Sequence, residues 1–132
     1  MLTQLYIDNV AVIEHADVMP GPWLTVLTGE TGAGKSILID ALSAVLGERA
    51  SKDLVRSGKS FAMVTATFNN LPSSLMAYLE NNGYEAEPDG TLLLRRKISA
   101  ENKSVCYIGG QPCTAAVLRT IGRMLVNIHG QH

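Results

Sequence analysis

The residues Gly29-Glu30-Thr31-Gly32-Ala33-Gly34-Lys35-Ser36 fit the pattern G-x-x-x-x-G-K-[ST]. They stand between a β-rich apolar run at 24–28 and an apolar stripe at helical spacing, Ile37, Leu38, Ala41, Leu42 and Val45. Strand, glycine-rich turn, then helix is the setting in which this octamer cradles phosphates, and it leaves few folds open. Its glycines let the backbone turn tightly enough for successive N–H groups to point inward, and a helix starting near Lys35 adds the positive end of its dipole. The octamer and the adjoining Ile37 are therefore the candidate nucleotide site. In it Lys35 reaches the β- and γ-phosphates and the Ser36 hydroxyl ligates Mg²⁺. By chance such an octamer turns up in roughly one chain of this size in a hundred or fewer.

At 132 residues and 46% hydrophobic content the chain is expected to fold as one domain with a real core. A net charge of −1 excludes a generally basic surface of the kind that binds nucleic acid, leaving only a local basic patch open. Residues 1–21 hold Asp8, Glu14 and Asp17 and no Lys or Arg, so the basic start of a signal peptide is missing. No run approaches a membrane span, and a cytoplasmic location without a membrane partner is expected. Cys106 and Cys113 match no zinc spacing and read as ordinary reduced thiols.

Alternation at 2–10 and 12–18 predicts a strand pair meeting near Asp8-Asn9. The run 24–28 predicts a buried strand that delivers the chain to the phosphate loop, and the helix after the loop stops at Gly47. Residues 48–60, with Arg49, Lys52, Arg56 and Lys59, read as a long exposed connection. A strand follows at 61–68, then a short helix opening at Pro72 and closing at Asn82-Gly83, and a turn at Pro88-Asp89-Gly90. A hairpin is expected from 91–99 and 104–108, with Arg95, Arg96 and Lys97 as a solvated face. A helix from Thr114 precedes a buried strand at 125–128.

A hydrolysing site of this type also needs a carboxylate at the end of a second strand. The one apolar run that closes on an acid, Ile37-Leu38-Ile39-Asp40, lies inside the phosphate-loop helix, where Asp40 reads as a structural or solvated residue. The guanine-reading Asn-Lys-x-Asp of GTP switches is absent too, because Asn102-Lys103-Ser104-Val105 lacks the final Asp.

Residues 29–42, Leu46-Gly47-Glu48-Arg49-Ala50, Asp53-Leu54-Val55-Arg56-Ser57-Gly58, the terminal Ile128-His129-Gly130-Gln131-His132 and the opening 5–13 together closely resemble the RecN family. These are bacterial DNA-repair ATPases related to the SMC proteins, and the resemblance covers essentially the whole chain. It implies an α/β P-loop ATPase fold: the N-terminal lobe of an ABC/SMC-type head, 1–132, with a mixed sheet and an antiparallel β portion. The coiled coil and the C-terminal lobe, which supplies the signature and acidic motifs, would lie outside this chain, which explains the missing carboxylate.

The same resemblance implies ATP and Mg²⁺ as cofactors. Gln131 becomes the glutamine-loop residue near Mg²⁺ and the attacking water, Arg49 an accessory at the nucleotide, and Lys52, Arg56 and Lys59 DNA contacts. His129 and His132 form H-x-x-H without a third ligand, and no metal is expected on them. Implied partners are the chain's own C-terminal head lobe, a second such head in a homodimer, and DNA. The implied role is double-strand break repair by recombination, in the cytoplasm at the nucleoid, with the lobe alone nearly inactive. Two other readings remain open from the residues: a self-contained P-loop kinase or NTPase, and a nucleotide-binding module without hydrolysis.

Overall fold

The computed structural model describes the backbone of residues 1–19 and 32–129 and the side chains of 1–19 and 37–125. The predicted strand at 24–28, Gly29, Glu30, Thr31 and Gln131 lie outside the described residues.

Six strands form one sheet in the order β2-β1-β3-β4-β5-β6, and every neighbouring pair is antiparallel. They are β1 (Leu2–Val10), β2 (Ile13–Val18), β3 (Phe61–Phe68), β4 (Leu92–Ser99), β5 (Ser104–Ile108) and β6 (Gln111–Cys113). Three helices accompany them among the described residues: α1 (Gly32–Val45) between β2 and β3, α2 (Ser73–Asn81) between β3 and β4, and α3 (Ala115–His129) after β6. This is the antiparallel portion expected from the resemblance. No parallel pair of the expected mixed sheet occurs among the described residues.

Alternation decides which face is covered. Leu5 and Ile7 of β1, Ala62, Val64 and Ala66 of β3, Leu92, Leu94 and Ile98 of β4, and Cys106 and Ile108 of β5 all turn into one core. Against that face α1 lays Leu38, Ala41, Ala44 and Val45, resting on β3, β1 and β4. The small side chains of Ala62, Ala66 and Ala41 let the helix approach the sheet closely. Leu75 and Leu79 of α2 and Leu118, Ile121 and Leu125 of α3 complete the cluster. On the opposite face Gln4, Tyr6, Thr65 and Arg95 help to line a hollow of about 280 Å³.

Four expectations change. The first hairpin turns at Ala11-Val12 rather than near Asp8-Asn9, and Val10↔Ile13 is its last pair. Ala11 takes a left-handed φ of 53°, and its N–H donates to the Leu54 carbonyl at 2.7 Å, a long-range contact that a local pattern does not contain. That contact also corrects the second expectation. The connection 48–60 carries a single 3₁₀ turn, Lys52–Leu54, and is laced to the hairpin through a Val10↔Val55 bridge and an Arg56 N–H donated to the Asn9 carbonyl at 2.8 Å.

The third correction concerns 125–128, which is helical, since α3 runs unbroken to His129. A short apolar run looks alike as a buried strand and as a helix segment. Here Leu125 simply extends the Leu118/Ile121 stripe of a helix whose start is capped by Thr114 Oγ1, accepting from the Val117 N–H at 3.2 Å. Fourth, the Arg95-Arg96-Lys97 triplet is not one solvated face. Strand alternation splits it, with Arg96 buried on the core side while half-buried Arg95 and Lys97 stand on the other. Lys97 Nζ lies 4.2 Å from the Phe61 ring centroid.

Candidate functional site

Helix α1 opens at Gly32, inside the octamer and three residues earlier than the start expected near Lys35, so Gly32, Ala33, Gly34, Lys35 and Ser36 form its opening. No acidic side chain stands in its first turn, and no basic one in its last. The positive end of the helix dipole is thus not offset by a carboxylate of its own, which suits an anion.

Its other end is built in detail. Gly47, at φ 92°, is the left-handed residue after the helix, with its N–H donated to the Ala44 carbonyl at 3.0 Å and that of Glu48 to the Ser43 carbonyl at 3.1 Å. These two bonds are a Schellman closure, and the stop expected at Gly47 is borne out. A further donor comes from the sheet. Arg96 Nη1 donates to the carbonyls of Ala44 at 2.7 Å and Glu48 at 2.6 Å, while its Nε donates to Ser104 Oγ at 3.2 Å. Only 5% exposed, Arg96 is the buried charged residue among the described ones. Sequence reasoning missed it. The available signal was strand alternation, which puts residue 96 in phase with Leu92, Leu94 and Ile98.

Beside α1 lies a cavity of about 340 Å³, lined by Ile37, Asp40 and Ser43 of the helix, Ala11 of the first turn, and Arg49, Ser51, Asp53 and Leu54 of the connection. Ile37 directly follows the octamer, so the structure brings Arg49 and Ile37 to one cavity. Arg49 is exposed, as are Lys52 and Lys59 elsewhere on the connection, whereas Arg56 is half-buried with its Nε enclosed and without a partner among the described residues. Asp40 sits on α1, exposed, as expected for a residue that is not a strand-end carboxylate. Among the described residues no group of three His, Cys, Asp or Glu could hold a metal ion, and no helix is long and apolar enough to cross a membrane.

The thiols of Cys106 and Cys113 face each other across β5 and β6 and are free. Burial pushes the Cys113 thiol up to about 12, with the neighbouring Cys106 adding to the shift. Burial also raises the Cys106 thiol, against a lowering influence of the Arg96 charge.

Solved structures with this arrangement include SMC heads. The chain superposes on one described under "Structural biochemistry of ATP-driven dimerization and DNA stimulated activation of SMC ATPases" with a TM-score of 0.68 and 22% identity, covering 93% of this chain and 78% of that one. It also superposes on the SMC head domain from Thermotoga maritima with a TM-score of 0.61 and 19% identity, covering 90% and 41%. The fold is that of an α/β P-loop ATPase, in the form of the N-terminal lobe of an SMC-type head.

The chain belongs to the AAA domain family, whose model matches residues 4–105. Over its whole length it is similar to proteins named DNA repair protein RecN: 46% identical to that of Halalkalibacterium halodurans, 46% to that of Bacillus subtilis (strain 168) and 41% to that of Vibrio cholerae. The resemblance read from its motifs is thereby borne out. The chain spans about a quarter of these relatives, 23% of the first two and 24% of the third.

Proposed function

We propose that this chain is the ATP·Mg²⁺-binding half of a split SMC-like ATPase head that acts in DNA double-strand break repair by recombination. The observation that carries the proposal is α1. It opens inside a phosphate-loop octamer, carries no acid in its first turn, and is fastened at its far end to the middle of an SMC-type sheet. Similarity to RecN over the full length supplies the biological context.

In this role the N–H groups of 29–36 cradle the phosphates, Lys35 neutralises the β- and γ-oxygens, and Ser36 and Gln131 hold Mg²⁺. Mg²⁺ held by Ser36 and Gln131 would supply neutralising charge to the phosphates. Gln131 orients the attacking water and distinguishes the triphosphate from the diphosphate. Ile37 and Arg49 line one cavity, which supports assigning them to the rest of the nucleotide.

The acidic and signature motifs come from the C-terminal lobe and from a second head. Two heads then close on ATP and separate on hydrolysis, turning a local chemical event into movement of the attached coiled coils.

The test is ATP hydrolysis by this chain alone and after addition of the lobe bearing the acidic and signature motifs, with Lys35→Ala as control. Turnover that needs both lobes and Lys35 is the expected result. Full Lys35-dependent turnover by the lone chain would replace the split head with a self-contained enzyme. Binding without turnover in any mixture would leave a nucleotide-gated interface.

A further inference from the structure

The buried guanidinium of Arg96 does more than fill the core. An apolar side chain of similar volume would occupy the space without the cost of desolvating a charge, so what Arg96 contributes is directional. Its Nη1 holds two carbonyls, one in the last turn of α1 and one just beyond it, at Ala44 and Glu48. Its Nε is tied to Ser104 of β5. Those carbonyls lie at the negative end of a helix with no basic residue in its own last turn, and Arg96 delivers the missing positive charge from β4.

The same few residues are clasped from the other side by α3. A Cβ at Gly47 would stand 2.3 Å from the Arg119 nitrogen, and one at Gly122 would stand 2.9 Å from the Leu46 carbonyl oxygen. Residues 44–48 are thus fixed by strand and helix together. The 14-residue helix is about 21 Å long, with the octamer at its start and that anchor at its end. A rigid helix held at one end converts a small tilt there into a displacement of its phosphate-binding turn.

We propose that Arg96 is a positioning residue for nucleotide binding: by holding the carbonyls of Ala44 and Glu48 it sets how α1 lies across β1, β3 and β4, and hence where the phosphate-loop N–H groups point. The inference rests on the nucleotide site proposed above. With no acidic side chain in its first turn, α1 also presents the positive end of its dipole toward the ligand's phosphates.

The experiment measures the Kd of a fluorescent ATP analogue with Mg²⁺ for the full-length protein, alongside the ligand-free Tm. It compares wild type, Lys35→Ala, Arg96→Met and Arg96→Lys at a temperature where circular dichroism shows each folded. Arg96→Lys keeps the charge but loses the rigid fork in which Nη1 holds both carbonyls while Nε is fixed to Ser104 Oγ. It is expected to weaken binding about tenfold, since small misplacement of a positioned group is costly, and Arg96→Met to weaken it further. A lowered Tm with wild-type Kd in Arg96→Lys overturns the inference and leaves Arg96 a purely structural residue. That variant decides the matter even if Arg96→Met does not fold. Absence of binding in the wild type, or undiminished binding in Lys35→Ala, is a different failure, because it removes the nucleotide site itself.

Discussion

Gly122 of α3 lies so close to Leu46 that a Cβ on it would stand 2.9 Å from the Leu46 carbonyl oxygen and 3.1 Å from its Cβ. Backbone meets backbone here, just past the end of the phosphate-loop helix. The contact closes the same joint that Arg96 holds from the sheet.

Gly122→Ala is accordingly expected to destabilise the protein by about 1–3 kcal/mol, as overpacking against a main-chain atom does. The intrinsic helix preference of alanine, at most about 1 kcal/mol, works in the opposite direction. Gly110→Ala, with nothing within 4 Å of its Cβ, should stay within about 0.5 kcal/mol of wild type. Urea unfolding of both variants checks this. A Gly122→Ala protein more stable than wild type would show that α3 can move off Leu46.

Asp40→Asn in the full-length protein should change kcat no more than severalfold. The residue is exposed on α1, and loss of a true catalytic carboxylate costs on the order of a hundredfold to ten-thousandfold. Steady-state ATPase rates read the difference directly. A loss of that larger size would make Asp40 the acidic residue that the split-head proposal assigns to another lobe.

The basic residues of the connection should separate in DNA binding by the full-length protein. Lys52 and Lys59 are exposed, while Arg56 is half-buried with its side-chain Nε enclosed. Replacing Lys52 or Lys59 by Ala should reduce the slope of log K against log salt by roughly 0.9 for each DNA phosphate that the lysine neutralises. Arg56→Ala should instead lower Tm with little change in slope. Slopes unchanged in both lysine variants would remove this surface from the DNA interface.

Alkaline conditions should reveal Cys113. Its folded thiol titrates near 12, well above the ordinary thiol value near 9, so the folded state keeps a proton that the unfolded state gives up. The contribution is fully present below about pH 9 and is lost as pH rises toward 12. Tm measured from pH 8 to 11 should therefore fall more steeply for wild type than for Cys113→Ser. Alkylation of Cys113 at pH 8 should be slow until the protein is unfolded. Rapid alkylation of the folded protein would contradict the enclosed thiol.

The legible parts of the chain were those in which local chemistry and tertiary environment agree. The stripe Leu38, Ala41 and Val45 with Gly47 behind it announced α1 and its stop, because helical period and a left-handed glycine are both local properties. Strict alternation announced β3 and β4, whose every second residue is buried. Failures came where distant partners decide. The run at 125–128 is helical because it continues a helix already packed on the core, and the first hairpin turns at Ala11 because Leu54, 43 positions away in sequence, accepts its N–H.

By itself the sequence determined the phosphate-loop octamer, the helix that follows it, the absence of a second acidic motif from this stretch, and the family resemblance. Each of these is a matter of residue type at fixed spacing. Only the tertiary structure decided what becomes of Arg96, which next to Arg95 and Lys97 looks like any solvated charge. The carbonyls that it serves, at Ala44 and Glu48, lie roughly fifty residues earlier in the chain. A buried charge is stable only where polar partners meet it, and that meeting is a property of the folded sheet and helix together.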